Sequence, residues 1–400
     1  MLSNRLVSLD IFRGITIAGM IVVNDAGDWG HIYTPLHHAE WHGITPTDFV
    51  FPFFLFIVGV AITLSFSKLK AKEVPQGVIL KKVLRRTLII YGLGVFLWLW
   101  PNFDFSNIRL VGVLHRIAFV YLACSLIFLR TDNWKSLAWI TGGLLVGYWG
   151  MMTLIPVPID ETIQVALDTG TVKAIAGMIP VEGIHTVSEG FIAPNLEPGT
   201  NLQAYLDRLI VPGRLYQYSW DPEGFLSTIP AIATGLSGIL AGKIIMQDQT
   251  HEQKVIWLLS LGFLALTIGN MWDWFFPFNK NLWTSSYVMY TSGLALMSLG
   301  ALYWFVDIKQ YNRGNWTFPF KVFGSNAIAA YALHSLLNFP FRIKFGAEGE
   351  QWTIISGFLD TLTAWGASPE MASFLWALVY TLFIYVLVWG MYKRGIFLKI

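Results

Sequence analysis

The titratable side chains of this sequence gather in one stretch, His37 to Gly59, which reads HHAEWHGITPTDFVFPFFLFIVG. Its first twelve residues hold His37, His38, Glu40, His42 and Asp48, and three of the chain's eight histidines fall here. An imidazole titrates near neutrality, so it can take a proton from an attacking amine or hydroxyl. It can also attack an acyl group itself and carry it briefly as an acyl-imidazole. Asp48 or Glu40 could orient such a ring. Zinc is the competing use of three histidines, but His38 and His42 would need a shared helical face. Gly43 and Pro46 argue against a helix there, so no metal is expected.

The elements that must position this cluster are membrane helices. Directly after Asp48 an apolar run continues to Ser67, long enough to cross a bilayer. The whole chain is 54% hydrophobic and only 13% charged, against about 25% charged in a soluble domain. Its 18 tryptophans and 29 phenylalanines suit aromatic belts at two interfaces. The expected fold is all-α, a polytopic membrane helical bundle. A net charge of +2 gives no electrostatic footprint for nucleic acid. The single cysteine, Cys124, excludes an intrachain disulfide and a Cys-rich metal site.

Ten spans are expected: 8–24, 49–67, 87–100, 110–129, 134–155, 224–245, 255–275, 285–306, 318–339 and 372–392. The first is interrupted by Arg13 and lacks a small-residue cleavage pattern, so it reads as a span and not as a signal peptide. The segment 351–365 contains Asp360 and is short, which suits an interfacial or re-entrant position. On this layout 18 Lys and Arg fall on one side and seven on the other. The basic side, with 68–86, is then cytoplasmic, and the histidine loop faces out. Both termini are expected in the cytoplasm of a bacterium, with the chain in its cytoplasmic membrane. Residues 1–400 read as one domain. The long loop 156–222, rich in Pro, Gly, Asp and Glu, is expected to fold as an outward cap. A homo-oligomer is compatible with the sequence.

This topology brings polar residues from six elements to one depth: Asn24, Asp48, His115 with Arg116, Asp221 with Glu223, Lys280 with Asn281, and His334 with Asn338. Charges inside a membrane normally have a partner or a wet cavity, so the set implies one outward cavity. Trp41, Asp221, Glu223, Lys280, Asn281 and His334 are its candidate acceptor contacts. On the inner side, Asp10 and Arg13 share a helix face at i, i+3. Lys81, Lys82, Arg85 and Arg86 form a basic cluster. It serves as an orientation signal, or, with Arg13, holds the phosphates of an anionic cofactor. Arg116 is a further candidate contact for that cofactor. The sequence contains no Walker loop, no HExxH and no GxSxG.

Seven segments then resemble one family. They are SLDIFRG (8–14), HAEWHGITPTDFVFPFFLFIVG (38–59), GVLHRIAFVY (112–121), DPEGFLSTIPAI (221–232), LAGKI (240–244), NKNLWTSSY (279–287) and GSNAIAAYALHS (324–335). In order and in spacing they are similar to the heparan-α-glucosaminide N-acetyltransferase family. The resemblance implies a transmembrane acyltransferase that takes acetyl from cytoplasmic acetyl-CoA and places it on an amino sugar or glycan across the membrane. It implies that His38 is catalytic and that Asn24, closing the first helix, belongs to the same site. His42 stands where the family motif commonly has Asn, and a chain without the extra N-terminal region of the lysosomal members is expected.

The chemistry of the residues is consistent with that expectation. His38 would serve as base or transient acyl carrier, with Asp48 or Glu40 orienting it. Asn24, Arg116 or Lys280 would supply the donors that a tetrahedral oxyanion needs. The alternative is a sugar or glycolipid transporter, or flippase, that uses the same outward cavity. Acetyl-CoA binding separates the two, since a transporter has no use for it.

Overall fold

The computed structural model describes residues 6–311, 315–347 and 351–398. Arg5, Arg313 and Lys399, counted above among the basic residues, lie outside them. The described residues form fourteen α-helices and five short strands. In the first half these are α1 (Val7–Asn24), α2 (Val50–Ala71), α3 (Gln76–Leu99), α4 (Val113–Arg130) and α5 (Trp134–Leu154). Between residues 157 and 210 come β1 (Val157–Pro158), α6 (Glu161–Thr169), β2 (Thr171–Ala174), β3 (Gly177–Pro180), β4 (Thr186–Ser188), β5 (Phe191–Ile192) and α7 (Leu202–Ile210). The second half contains α8 (Thr228–Met246), α9 (His251–Asp273), α10 (Ser285–Leu302), α11 (Phe318–Ser325), α12 (Ala327–Phe341), α13 (Ile354–Ala364) and α14 (Pro369–Lys393).

The chain is a polytopic helical membrane protein. Among the described residues eight helices, α1, α2, α4, α5, α8, α9, α10 and α14, are long and apolar enough to cross a membrane. Two of the ten expected spans look different in the structure. The third was expected to begin at residue 87, but α3 starts at Gln76, just after Pro75. It therefore carries Lys81, Lys82, Arg85 and Arg86 within its first turns, because Lys and Arg are good helix formers and Pro suits a helix start. The ninth is two short helices, broken at Asn326, whose amide Nδ2 donates to the Ile396 carbonyl (2.9 Å) and whose Oδ1 accepts from Leu398 N (3.0 Å). Segment 351–365 contains the eleven-residue helix α13.

Lipid supplies no hydrophobic drive between helices, so close packing must hold the bundle together. Two glycines show how close. A Cβ on Gly59 of α2 would lie 1.9 Å from the Gly235 carbonyl oxygen of α8. A Cβ on Gly324 of α11 would lie 1.9 Å from the Asp10 carbonyl oxygen of α1. The N-terminus of α1 is capped from afar, Val7 N and Ser8 N donating to the Asp307 carboxylate at 3.1 and 3.0 Å, a favourable place for negative charge.

Residues 156–222 are folded. Strands β1, β5 and β4 form one small antiparallel sheet and β2 pairs with β3 in a hairpin. Val172, Ala174, Val181, Ala204 and Trp220 form a core of their own. Helix α7 fastens this unit to the bundle: Gln203 Nε2 donates to the carbonyls of Asn281 (3.1 Å) and Asp221 (3.3 Å). Trp41 Nε1 donates to the Leu196 carbonyl (2.9 Å), and its ring meets Trp220 edge-on at 5.6 Å.

Candidate active site

His38 and Asp48 meet where the histidine loop turns into α2. Thr45 caps the short turn Pro46–Phe49 that leads into that helix, and Asp48 closes the capping box from the third position. Asp48 Oδ2 accepts from Thr45 N (3.0 Å), Thr45 Oγ1 (3.0 Å) and Ala39 N (3.2 Å). Its other oxygen, Oδ1, lies 2.7 Å from His38 Nδ1. Tyr287, fully buried on α10, donates its hydroxyl to the Asp48 carbonyl at 2.6 Å. The carboxylate is therefore fixed on every side, and it holds the His38 proton on Nδ1. That leaves the Nε2 lone pair free to act as a base. The Asp48 side chain is 1% exposed while that of His38 is 39% exposed. The carboxylate is thus sealed and the imidazole open.

Lys280 completes the cluster. Its Nζ lies 3.0 Å from His38 Nδ1, 3.3 Å from Nε2 and 3.5 Å from Asp48 Oδ1. Nearly equal distances to the two ring nitrogens put the ammonium over the face of the imidazole, outside the plane in which the Nε2 lone pair lies, so that lone pair stays free. A knotted turn places the lysine. Asn279 Oδ1 accepts from Leu282 N (2.9 Å), Asn279 N donates to Thr284 Oγ1 (3.0 Å), and Trp283 adopts a left-handed φ of 55°. Burial pulls the Lys280 ammonium below the usual lysine range, against the attraction of Asp48 and Glu223.

A cavity of about 670 Å³ opens beside this cluster. Asn24, His38, Thr47, Glu223 and Lys280 line one end; Asp10, Arg13, Arg86, Ser325 and Leu398 line the other. Between them the wall is apolar, with Ile57, Ala61, Ile117 and Ile328 among its residues. Along α1 the lining runs from Asp10 to Asn24, about 21 Å of helix rise. That is most of the roughly 30 Å hydrocarbon core of a bilayer. The break between α11 and α12 lies on this wall, and irregular backbone is tolerated at membrane depth where it lines a cavity.

The structure brings together some of the sequence candidates and separates others. Asn24, His38, Glu223 and Lys280 share one end of the cavity, and Arg13 and Arg86 share the other. Arg13 is 3.6 Å from Asp10, as their spacing predicts. Lys81, Lys82 and Arg85 are exposed and do not line the cavity. Arg116 is 1% exposed, donates to the Gly224 carbonyl and to Ser227 Oγ, and stacks over Trp283, all outside the cavity wall. Asp221 accepts both arms of Arg109, Nε at 2.8 Å and Nη2 at 2.6 Å, and so braces Glu223, which takes Arg109 Nη2 at 2.6 Å. His334 Nδ1 lies 2.9 Å from Asp25 Oδ2 and is buried. Trp41 packs on the 156–222 unit, and the backbone carbonyl of Asn281 anchors Gln203. Of the other loop histidines, His37 Nε2 contacts the Ile32 carbonyl (3.1 Å) and His42 Nδ1 contacts Asn279 (3.4 Å).

Sequence reasoning missed Thr45, Tyr287 and Tyr331, the last also on the cavity wall. Thr45 had a local signal, since Thr45-Pro-Thr-Asp48 has the spacing of a capping box. Tyr287 and Tyr331 had none, being ordinary aromatic residues in apolar helices.

Comparison with known proteins places the chain in a wider group. Residues 5–166 match the family described as heparan-alpha-glucosaminide N-acetyltransferase, catalytic. A human protein named heparan-alpha-glucosaminide N-acetyltransferase is 31% identical over 389 residues, covering 85% of this chain and 54% of its own length. A mouse protein of the same name is 30% identical over 395 residues, covering 86% of this chain and 56% of its own. The chain thus spans about half the length of the curated relatives it matches.

Proposed function

The chain belongs to the heparan-alpha-glucosaminide N-acetyltransferase family, and from that premise we propose that it moves an acetyl group from acetyl-CoA on one side of a membrane to an amino sugar or glycan on the other. One observation carries this reading: a single cavity joins the guanidinium groups of Arg13 and Arg86 to the imidazole of His38. A soluble transferase needs no such passage. A transmembrane one must bring its acyl donor across the depth of the bilayer.

The lining suits each part of the donor. Arg13 and Arg86 offer planar, bidentate donors for phosphates on the basic side, which we take as cytoplasmic. Ile57, Ala61, Ile117 and Ile328 give a dry channel for a thin arm. Acetyl-CoA supplies an activated acyl carbon at the end of that arm. At the far end His38 Nε2 takes the proton of the attacking acceptor, and Asp48 steadies the imidazolium that results. Lys280 Nζ and the Asn24 amide supply donors for the carbonyl oxygen as charge builds on it. Glu223, braced by Arg109, faces the same space and can hold a cationic or hydroxyl-rich acceptor. The unit at 156–222 lies at this end of the bundle and forms the outward cap of a single domain. With α3 and the α11–α12 pair added to the eight apolar helices, ten crossings put both termini on the cytoplasmic side.

The test is direct. Purified protein in nanodiscs, given radiolabelled acetyl-CoA and glucosamine, should yield labelled N-acetylglucosamine and free thiol in equal amounts. Protein that binds a sugar but neither binds nor consumes acetyl-CoA would instead be the transporter or flippase that the outward cavity also permits.

A further inference from the structure

Lys280 is a primary amine held against the base of the site. Its Nζ lies against the imidazole of His38, 3.0 Å from Nδ1 and 3.3 Å from Nε2, and Lys280 is on the wall of the same cavity. The Nε2 lone pair points away in the ring plane, and rotation about the flexible four-carbon lysine stem is what brings Nζ to it. The turn from Asn279 to Thr284 holds the lysine beside the ring through Asn279 Oδ1 and Thr284 Oγ1. Lys81 and Lys82, by contrast, are exposed and outside the cavity.

We propose that Lys280 is a self-acetylation site, modified by the enzyme's own transfer reaction when no acceptor occupies the cavity. The inference rests on the acetyl-transfer reading above. In its neutral form the Nζ lone pair forms a bond to the thioester carbonyl carbon, and the carbon–sulfur bond breaks. The proton that Nζ sheds passes to His38 Nε2 and then to the departing thiolate, so the products are Nε-acetyl-lysine and free CoA thiol.

Two features make the reaction slow and its product lasting. Asp48 Oδ1, 3.5 Å away, and Glu223 on the same wall favour the ammonium, which has no lone pair. A burial that disfavours charge works the other way. Once formed, the amide lacks a good leaving group, so the acetyl cannot be passed on. It also removes the cation beside Asp48 and fills the space next to Nε2. Idle enzyme would therefore inactivate itself in the presence of donor, and a bound acceptor would protect it.

The experiment uses the full-length protein in nanodiscs with ¹³C-acetyl-CoA and no acceptor, followed by mass spectrometry of the peptide containing Lys280. The expected result is label on Lys280 that rises in step with loss of transfer activity. Adding glucosamine should suppress it, and His38→Ala should cut it about a hundredfold or more. In Lys280→Arg, which keeps the charge, the peptide should stay unlabelled. Label that persists undiminished in His38→Ala would be non-enzymatic acetylation and would overturn the proposal. So would an unlabelled Lys280 in protein that acetylates glucosamine normally, which leaves the transfer reading intact. If neither Lys280 nor glucosamine is acetylated, the transfer reading itself fails.

Discussion

Asp48 lies ten residues beyond His38 in the chain, yet its Oδ1 is 2.7 Å from the His38 Nδ1. The approach is possible because the carboxylate is not held by the histidine alone. Thr45 and Ala39 bind its second oxygen, so the loop is folded around Asp48 before any substrate arrives. Positioning of this kind costs nothing at the moment of reaction.

Removing either partner should therefore act on turnover. His38→Ala should lower kcat by two to four orders of magnitude, the usual contribution of a positioned base. Acetyl-CoA binding, measured by calorimetry, should change little, since Arg13 and Arg86 are at the other end of the cavity. Asp48→Asn should give a similar fall in kcat, because its amide can no longer enforce the Nδ1–H tautomer. It should also lower Tm, since Thr45 and Ala39 lose their charged acceptor, whereas His38→Ala should leave Tm nearly unchanged.

The basic residues should divide in two. Arg13→Ala and Arg86→Ala should each raise the KM for acetyl-CoA about tenfold or more, the worth of one or two charged hydrogen bonds, with a smaller effect on kcat. Lys81→Ala and Lys82→Ala should leave KM within about twofold, because these side chains are exposed and do not reach the cavity. Equal effects at all four positions would mean that they act only through overall charge.

Asp207 should make stability fall with rising pH. It is fully buried on α7, with Oδ1 accepting from Phe225 N (2.7 Å) and Oδ2 unpartnered. Burial pushes its carboxyl up to about 8, against about 3.9 in an unfolded chain. The folded state then holds a proton that the unfolded state has released, so stability is full below the unfolded value and is lost as pH rises through the folded one. Thermal unfolding of the wild type should show a higher Tm at pH 5 than at pH 8.5. In Asp207→Asn that difference should shrink; an unchanged slope would place its origin in another group.

Orientation can be read with single cysteines. The native Cys124 is buried, so it should not react with a membrane-impermeant maleimide. Thr34→Cys and Gln76→Cys, both at exposed positions, should label from opposite faces of oriented vesicles, Thr34→Cys from the outside. Labelling of both from one face would refute the layout with a cytoplasmic α2–α3 connection.

What the sequence determined alone was local or cumulative. Apolar runs identify the spanning helices because each turn of such a helix satisfies its own backbone in lipid. The charge asymmetry between loops needs no contacts to be counted. The pairing of Asp10 with Arg13 was read from three residues of spacing; the same spacing from Thr45 to Asp48 carried a capping-box signal that went unread. The expectation that His38, and not His37 or His42, is catalytic rests on the family resemblance of the motif around it. The tertiary structure decided everything that depends on distant parts of the chain meeting. Arg109 and Asp221 lie 112 positions apart, and Lys280 lies 242 positions from His38. No local preference encodes either distance; each follows from helices packed closely enough that Gly59 and Gly324 leave no room for a side chain. That packing also separated Arg86, on the cavity wall, from Lys81, Lys82 and Arg85 on the same helix. A helix displays its residues around the whole circle, and only the neighbouring helices determine which of them face the cavity.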